Sequence, residues 1–230
     1  VRVLLLANRG DDDPGYVGSA LTARGGTIVT AHRDGDAALP SPASFDLVVS
    51  LGSDWSVYWQ RVADHVEREV ALLRRAVEDD VPVLGICFGG QLLAHALGGT
   101  VERAPVPEIG WHPVDSDVPD LVPPGPYLQW HWDRFAPPPR STELARNAAG
   151  SQAFVQGSAL GVQFHPEATP DMLRRWSAGV AGTIEGTSVD PADVIAEAGR
   201  RAHEATARAD IVVAAFVSGQ LTGRPVPAGR

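Results

Sequence analysis

Short apolar runs separated by helix-length segments restrict what the first hundred residues can become. Residues 1–7 (VRVLLLA), 27–31, 47–50 and 81–86 are brief and apolar, with turn residues on both sides. Each is too short for a buried helix and reads as a strand covered on both faces. Residues 17–24 form a short helical pattern that Gly25-Gly26 would stop. Across residues 57–79, Trp59, Val62, Val66, Val70, Leu73 and Val77 mark one face of a helix of about six turns. Residues 91–97 continue as helix after the fourth run. Strands that alternate with helices and leave no room for hairpins predict an open, mainly parallel α/β sheet with helices on both faces.

The second half changes character. Runs at 111–114, 127–130, 153–156 and 161–164 are split by Val122-Pro-Pro-Gly-Pro126 and Pro137-Pro-Pro139. They are expected to be mostly antiparallel additions at one edge of the sheet. Asp190-Pro191 then makes a helix start, with Asp as cap and Pro in the first turn. Val194, Ile195, Ala198, Ala202, Ala205, Ala209, Val212, Val213 and Phe216 hold helical spacing until Gly219. The expected organisation is a catalytic unit over 1–182 and a helical extension over 183–230 packed on the same body, its tail from Thr222 mobile.

Cys87 is the only cysteine among 230 residues. It stands between an apolar strand and a helix, with Gly85 and Gly89 two residues to either side. Gly-x-Cys-x-Gly has the spacing of the nucleophile elbow, in which flanking side chains would collide around the sharp turn. Such a corner residue sits above the C-terminal ends of parallel strands, where open sheets hold ligands. The helix N-terminus favours a thiolate there and aims backbone N–H groups, such as that of Phe88, at a developing oxyanion. A packed structural cysteine is the competing reading, and the paired glycines argue against it.

A thiol nucleophile needs a base, and seven histidines compete. His165 lies in Gln163-Phe-His-Pro-Glu167; in an extended segment His165 and Glu167 share one side, and Pro166 biases the run away from helix. The carboxylate would fix the imidazole tautomer and stabilise the imidazolium. His95 is expected to be packed, His32, His65 and His203 to lie in exposed charged segments, and His112 to lack a useful carboxylate. His131 in Gln129-Trp-His-Trp-Asp-Arg134 is the rival, since His131 and Asp133 could form a base or a metal-ligand pair. No further ligands cluster there and one cysteine makes no metal cluster, so no metal is expected.

The net charge of −9 is spread over short acidic clusters and no basic stripe interrupts it, which argues against nucleic acid. The first apolar run is too short for a signal peptide or membrane span, and with a single cysteine this makes a cytoplasmic location the expectation.

Together the Gly85-Ile-Cys-Phe-Gly-Gly-Gln91 elbow and the Gln163-Phe-His-Pro-Glu167 segment resemble the class I (triad) glutamine amidotransferases. Glu108-Ile-Gly-Trp-His-Pro-Val114 and Gln129-Trp-His-Trp-Asp-Arg-Phe135 resemble stand-alone members similar to the amidotransferase domain of GMP synthase. The resemblance implies the flavodoxin-like fold of that family and no cofactor. It implies that Cys87 attacks the glutamine amide to give a γ-glutamyl thioester and ammonia, with His165 as base then acid and Glu167 as orienter. It also implies an oxyanion hole from backbone N–H groups of Phe88 and Gly52, and substrate contacts from Gln91, His131 and Asp133. The family's first oxyanion loop usually reads Gly-Gly-Pro; here Ser50-Leu-Gly-Ser-Asp-Trp-Ser-Val-Tyr58 keeps only Gly52.

Three functions remain in contention. A glutaminase could feed ammonia to a separate ATP-dependent synthetase, since the residues after Gly182 are too few to be one. The altered loop favours a self-sufficient hydrolase of a γ-glutamyl amide or related small amide. A non-catalytic binding module would not need Cys87, His165 and Glu167 together, and fold alone does not decide.

Overall fold

The computed structural model describes residues 1–178, 184–220, 223 and 226. The expected boundary at Gly182 and nearly all of the tail from Thr222 lie outside the described residues. Five strands form the parallel half of one sheet: β1 (Arg2–Ala7), β2 (Thr27–His32), β3 (Leu47–Ser50), β4 (Val83–Ile86) and β9 (Ala159–Val162). The antiparallel half consists of β5 (Thr100–Ser116), β6 (Gly125–Ala136), β7 (Thr142–Asn147) and β8 (Gly150–Gln156). The strand order is β2-β1-β3-β4-β9-β8-β7-β5-β6.

Alternation along the buried strands fills two cores. Val3, Leu5, Leu47, Val49, Leu84 and Ile86 pack on one face with Val17 and Leu21 of helix α1 (Gly15–Ala23). Val212, Val213 and Phe216 of helix α5 (Pro191–Val217) join the same cluster. Leu4, Leu6, Val48 and Val83 face the other way, onto Val66, Val70 and Leu73 of α2 (Ala63–Glu78) and Leu92 and Leu93 of α3 (Phe88–Ala96). A strand that shows apolar side chains to both sides needs helices on both sides, and the helices are there.

Several elements differ from the sequence expectation. Helix α2 begins at Ala63 behind a single 3-10 turn at Gln60–Val62, because residues 51–59 form an irregular loop over the strand ends. Of the run at 161–164, expected among antiparallel additions at the sheet edge, Gly161 and Val162 end β9, which is antiparallel to β8 as expected but lies inside the sheet and parallel to β4, with Val83↔Ala159 and Ile86↔Val162 in register. A further short helix, α4 (Pro170–Trp176), follows β9, capped by the Thr169 side chain accepting from the Met172 N–H at 3.2 Å. His95 is exposed rather than packed, since it points away from the α3 face that meets the sheet. No helix among the described residues is long and apolar enough to cross a membrane.

Candidate active site

The corner at Cys87 is built by close backbone approach. Cys87 has φ +52°, ψ −110°, a left-handed conformation that costs a non-glycine residue about 1–3 kcal/mol. A Cβ on Gly85 would lie 2.5 Å from the Gly89 carbonyl oxygen, and one on Gly89 would lie 2.0 Å from that of Ser50. The glycines are therefore required at both positions by space. The Cys87 N–H donates to the Val162 carbonyl at 2.9 Å, which ties the elbow to the end of β9.

That tie explains how the second motif reaches the first. Because β9 is the direct neighbour of β4, the chain leaving it carries Gln163, His165 and Glu167 past Cys87. The segment is not extended: the Ala168 N–H reaches back to the His165 carbonyl at 3.5 Å, making a turn with Pro166 at its second position, where proline is favoured. The turn still brings His165 Nδ1 to 2.7 Å from Glu167 Oε1, both side chains buried. His165 Nε2 is buried and has no hydrogen-bond partner among the described residues. Burial alone would lower the imidazole, yet the charges of Glu167 and Cys87 raise it well above its ordinary 6.5. Gln163 Nε2 donates toward Cys87 Sγ at 3.8 Å, and its Oε1 accepts from Gln91 Nε2 at 3.4 Å.

Cys87, His165 and Glu167 line one cavity of about 470 Å³ together with Gly52, Gln91, His131 and Asp133. A Cβ on Gly52 would stand 3.1 Å from His165 Cε1 and 3.8 Å from Cys87 Cβ, so the Gly52 backbone lies against both. Phe88 turns its ring into the core beside α2 and is not among the residues that line the cavity; its N–H, at the first turn of α3, has no intrahelical acceptor. The Gln91 amide is buried and donates to the Asp133 carbonyl at 3.0 Å. His131 is held from behind, with Nε2 3.3 Å from Glu108 Oε2 and Nδ1 2.9 Å from the Asp133 carbonyl. Asn147 at 2.7 Å and Gln152 at 3.1 Å donate to Glu108. Burial pushes the Glu108 carboxyl up, but the hydrogen bond and charge of His131 outweigh it and hold the group below its ordinary 4.5.

Other contributors carry no signal in the sequence. Tyr58 donates its hydroxyl to Asp133 Oδ1 at 2.8 Å from the far end of the altered loop. Trp176 of α4 tilts over the His165 ring with centroids 4.9 Å apart, and its Nε1 donates to Asp11 Oδ1 at 2.9 Å. Burial raises the Asp11 carboxyl, against the Trp176 hydrogen bond. Five of the six tryptophans, Trp55, Trp59, Trp130, Trp132 and Trp176, line the cavity. Nothing in their spacing foretells that convergence. Among the described residues no group of three or more His, Cys, Asp or Glu could hold a metal ion.

A thiol at a strand–helix corner, sharing its cavity with an imidazole whose Nδ1 meets a buried carboxylate, on a flavodoxin-like sheet, has the make-up of the α/β cysteine-triad proteins. Within that class the family model for glutamine amidotransferase class-I matches residues 60–174. The chain belongs to the class-I glutamine amidotransferases, a family of enzymes. A glutamine-hydrolyzing GMP synthase subunit of Saccharolobus solfataricus is 33% identical over 132 residues, covering 54% of this chain and 68% of that one. The glutamine-hydrolyzing GMP synthase of Aeropyrum pernix is 36% identical over 140 residues, 56% of this chain, and the match spans 25% of the relative's length. The crystal structure of a glutamine amidotransferase from Methylobacillus flagellatus superposes with TM-score 0.84 at 25% identity, covering 95% and 94% of the two chains. One from Thermotoga maritima gives 0.83 at 26% identity, over 94% and 97%.

Proposed function

We propose that this chain hydrolyses the side-chain amide of glutamine through a thioester on Cys87 and supplies the ammonia to a separate ATP-dependent synthetase. The Cys87 sulfur attacks the amide carbon and its proton passes to His165 Nε2. Phe88 and Gly52 N–H groups meet the oxyanion. Collapse expels ammonia, protonated by His165; water then gives a proton to His165 and attacks the thioester, and glutamate leaves as the thiol recovers its proton. Glu167 holds the Nδ1 tautomer throughout. Gln91, His131 and Asp133 line the same cavity and are assigned to substrate binding.

The observation that carries this reading is His165 Nε2, buried without a partner in the cavity that holds the only thiol, while Nδ1 is committed to Glu167. The test is incubation with a glutamine-analogue diazoketone, followed by mass spectrometry and a glutamate-release assay. An adduct on Cys87 and glutamate production are expected; neither appearing would overturn the reading. The synthetase arm rests on the likeness to the Saccharolobus GMP synthase component, and predicts slow turnover alone that rises when a partner is added.

One observation favours a second reading, a self-sufficient hydrolase of a larger γ-glutamyl amide. The cavity falls in the range that suits drug-sized ligands and shares Asp11, Ser53, Asp54 and Trp55 with an adjoining groove of about 400 Å³. A panel of γ-glutamyl amides separates the two, with kcat/KM highest for glutamine under the first. We assign residues 1–182 to the catalytic unit and 183–230 to an extension of the same body. Val212, Val213 and Phe216 of α5, which share a core cluster with β1 and β3, support that assignment.

A further inference from the structure

Arg33 follows the last residue of the edge strand β2, yet it is 1% exposed. Its guanidinium makes the densest set of side-chain hydrogen bonds in the vicinity of the site. Nε and Nη2 meet Glu69 of α2 at 2.8 and 3.3 Å, both partners 1% exposed in their side chains. Nη2 also donates to the carbonyls of Leu6 at 3.1 Å and Leu51 at 2.9 Å, and to Ser50 Oγ at 3.2 Å. Nη1 donates to the Gly52 carbonyl at 2.9 Å and to Asn8 Oδ1 at 3.0 Å. The guanidinium carbon lies 5.1 Å from the centroid of the Phe88 ring, the residue that opens α3.

Two of those acceptors are consecutive carbonyls of the loop that stands against Cys87 and His165. In a trans peptide the C=O and the following N–H point in opposite directions. With the Leu51 and Gly52 carbonyls both drawn to Arg33, the N–H groups of Gly52 and Ser53 are turned away from it. Gly52 and Ser53 line the cavity and Arg33 does not. Neither N–H has an acceptor among the described residues. We infer that Arg33 is a positioning residue for the proposed amide hydrolysis: its fork, oriented by Glu69, holds the Leu51-Gly52-Ser53 backbone with its N–H groups facing the oxyanion. A rigid loop sequence would do this locally. Here Ser50-Leu-Gly-Ser has no proline, and the rigidity comes from a side chain on another strand. A lysine could keep the charge against Glu69 but not the planar two-nitrogen grip on successive carbonyls.

The inference rests on the amide-hydrolase reading, and the experiment keeps the two apart. Wild type, Arg33→Lys and the double variant Arg33→Met/Glu69→Leu are compared for kcat, KM, thermal midpoint and the rate at which iodoacetamide alkylates Cys87. Alkylation is a displacement at carbon that needs no oxyanion donors, so it reports the thiol and not the loop. The two variants carry different risks of misfolding, so each guards the other: Arg33→Lys keeps a charge for Glu69 and donors for the carbonyls, and the double variant leaves no uncompensated buried charge. Expected is a kcat lower by ~10–100-fold in each folded variant, somewhat less than the loss on deleting one oxyanion donor, with KM and alkylation rate near wild type. A folded variant with kcat within about twofold of wild type overturns the role of Arg33. So does a parallel fall in kcat and alkylation, which would mean general disorganisation of the site. A wild type that turns over neither glutamine nor any γ-glutamyl amide overturns the hydrolase reading itself, and the inference with it.

Discussion

Gly15 and Glu167 touch through their backbones: the Tyr16 N–H donates to the Glu167 carbonyl at 2.9 Å, and a Cβ on Gly15 would sit 1.9 Å from that oxygen. Gly15 also has φ +48°. The first turn of α1 thus buttresses the residue that orients His165. Gly15→Ala is expected to lower stability by more than about 1 kcal/mol and to displace the Glu167 turn. Urea unfolding and kcat measured on the same preparation check it; an alanine variant as stable and active as wild type would remove the buttress.

Cys87 contributes one sulfur to the core cluster it borders. Cys87→Ala should cost about 1 kcal/mol, the transfer of one methylene-sized group, while turnover falls by at least ~10⁴-fold, as for other triad nucleophiles. Circular dichroism with the glutamate-release assay tests both halves. Unfolding of this variant would identify Cys87 as a packing residue.

The pH dependence of stability should be bounded on both sides. His165 is raised above its ordinary 6.5, because Glu167 and Cys87 overcome the lowering by burial, so the stability it contributes is full below 6.5 and is lost as pH rises through the raised value. Glu108 is held below 4.5, because His131 overcomes the raising by burial, so its contribution is full above 4.5 and is lost as pH falls through the depressed value. The denaturant midpoint should therefore be greatest between about 4.5 and 6.5 as far as these two groups decide it. Glu167→Gln should flatten the alkaline limb and Glu108→Gln the acid limb. A limb unchanged by its own substitution would refute that assignment.

Tyr58 is 51% exposed and its hydroxyl holds Asp133. If Asp133 receives the substrate's ammonium, Tyr58→Phe removes an orienting bond from a binding group and leaves the reacting atoms alone. KM should rise by about 3–10-fold with kcat nearly unchanged, the pattern of lost uniform binding. Equal losses in kcat and kcat/KM would instead tie Tyr58 to the transition state.

The parts legible in the sequence are those enforced locally. Gly85 and Gly89 announce the elbow because no other residue fits beside the Ser50 and Gly89 carbonyls. The face of α2 is readable because one stripe meets the sheet. The long hairpin of β5 and β6 is legible only as fragments, since Pro105, Pro107 and Pro113 break the alternation and the register shifts between Arg103 and Glu108. Thr169-Pro170-Asp171 caps α4, but seven residues show too little periodicity to be read as a helix. Tyr58 on Asp133 and Arg33 on Glu69 join positions 75 and 36 residues apart. Only tertiary packing makes such pairs.

The insertion of β9 between β4 and β8 bears on the order in which a growing polypeptide can become reactive. Until Ala159–Val162 has left the ribosome, β4 ends as an unpaired sheet edge and the sulfur beside it faces no imidazole. Late closure by a distant segment is slow in general, and under the proposed function it would withhold amide cleavage from any nascent chain whose core is still incomplete.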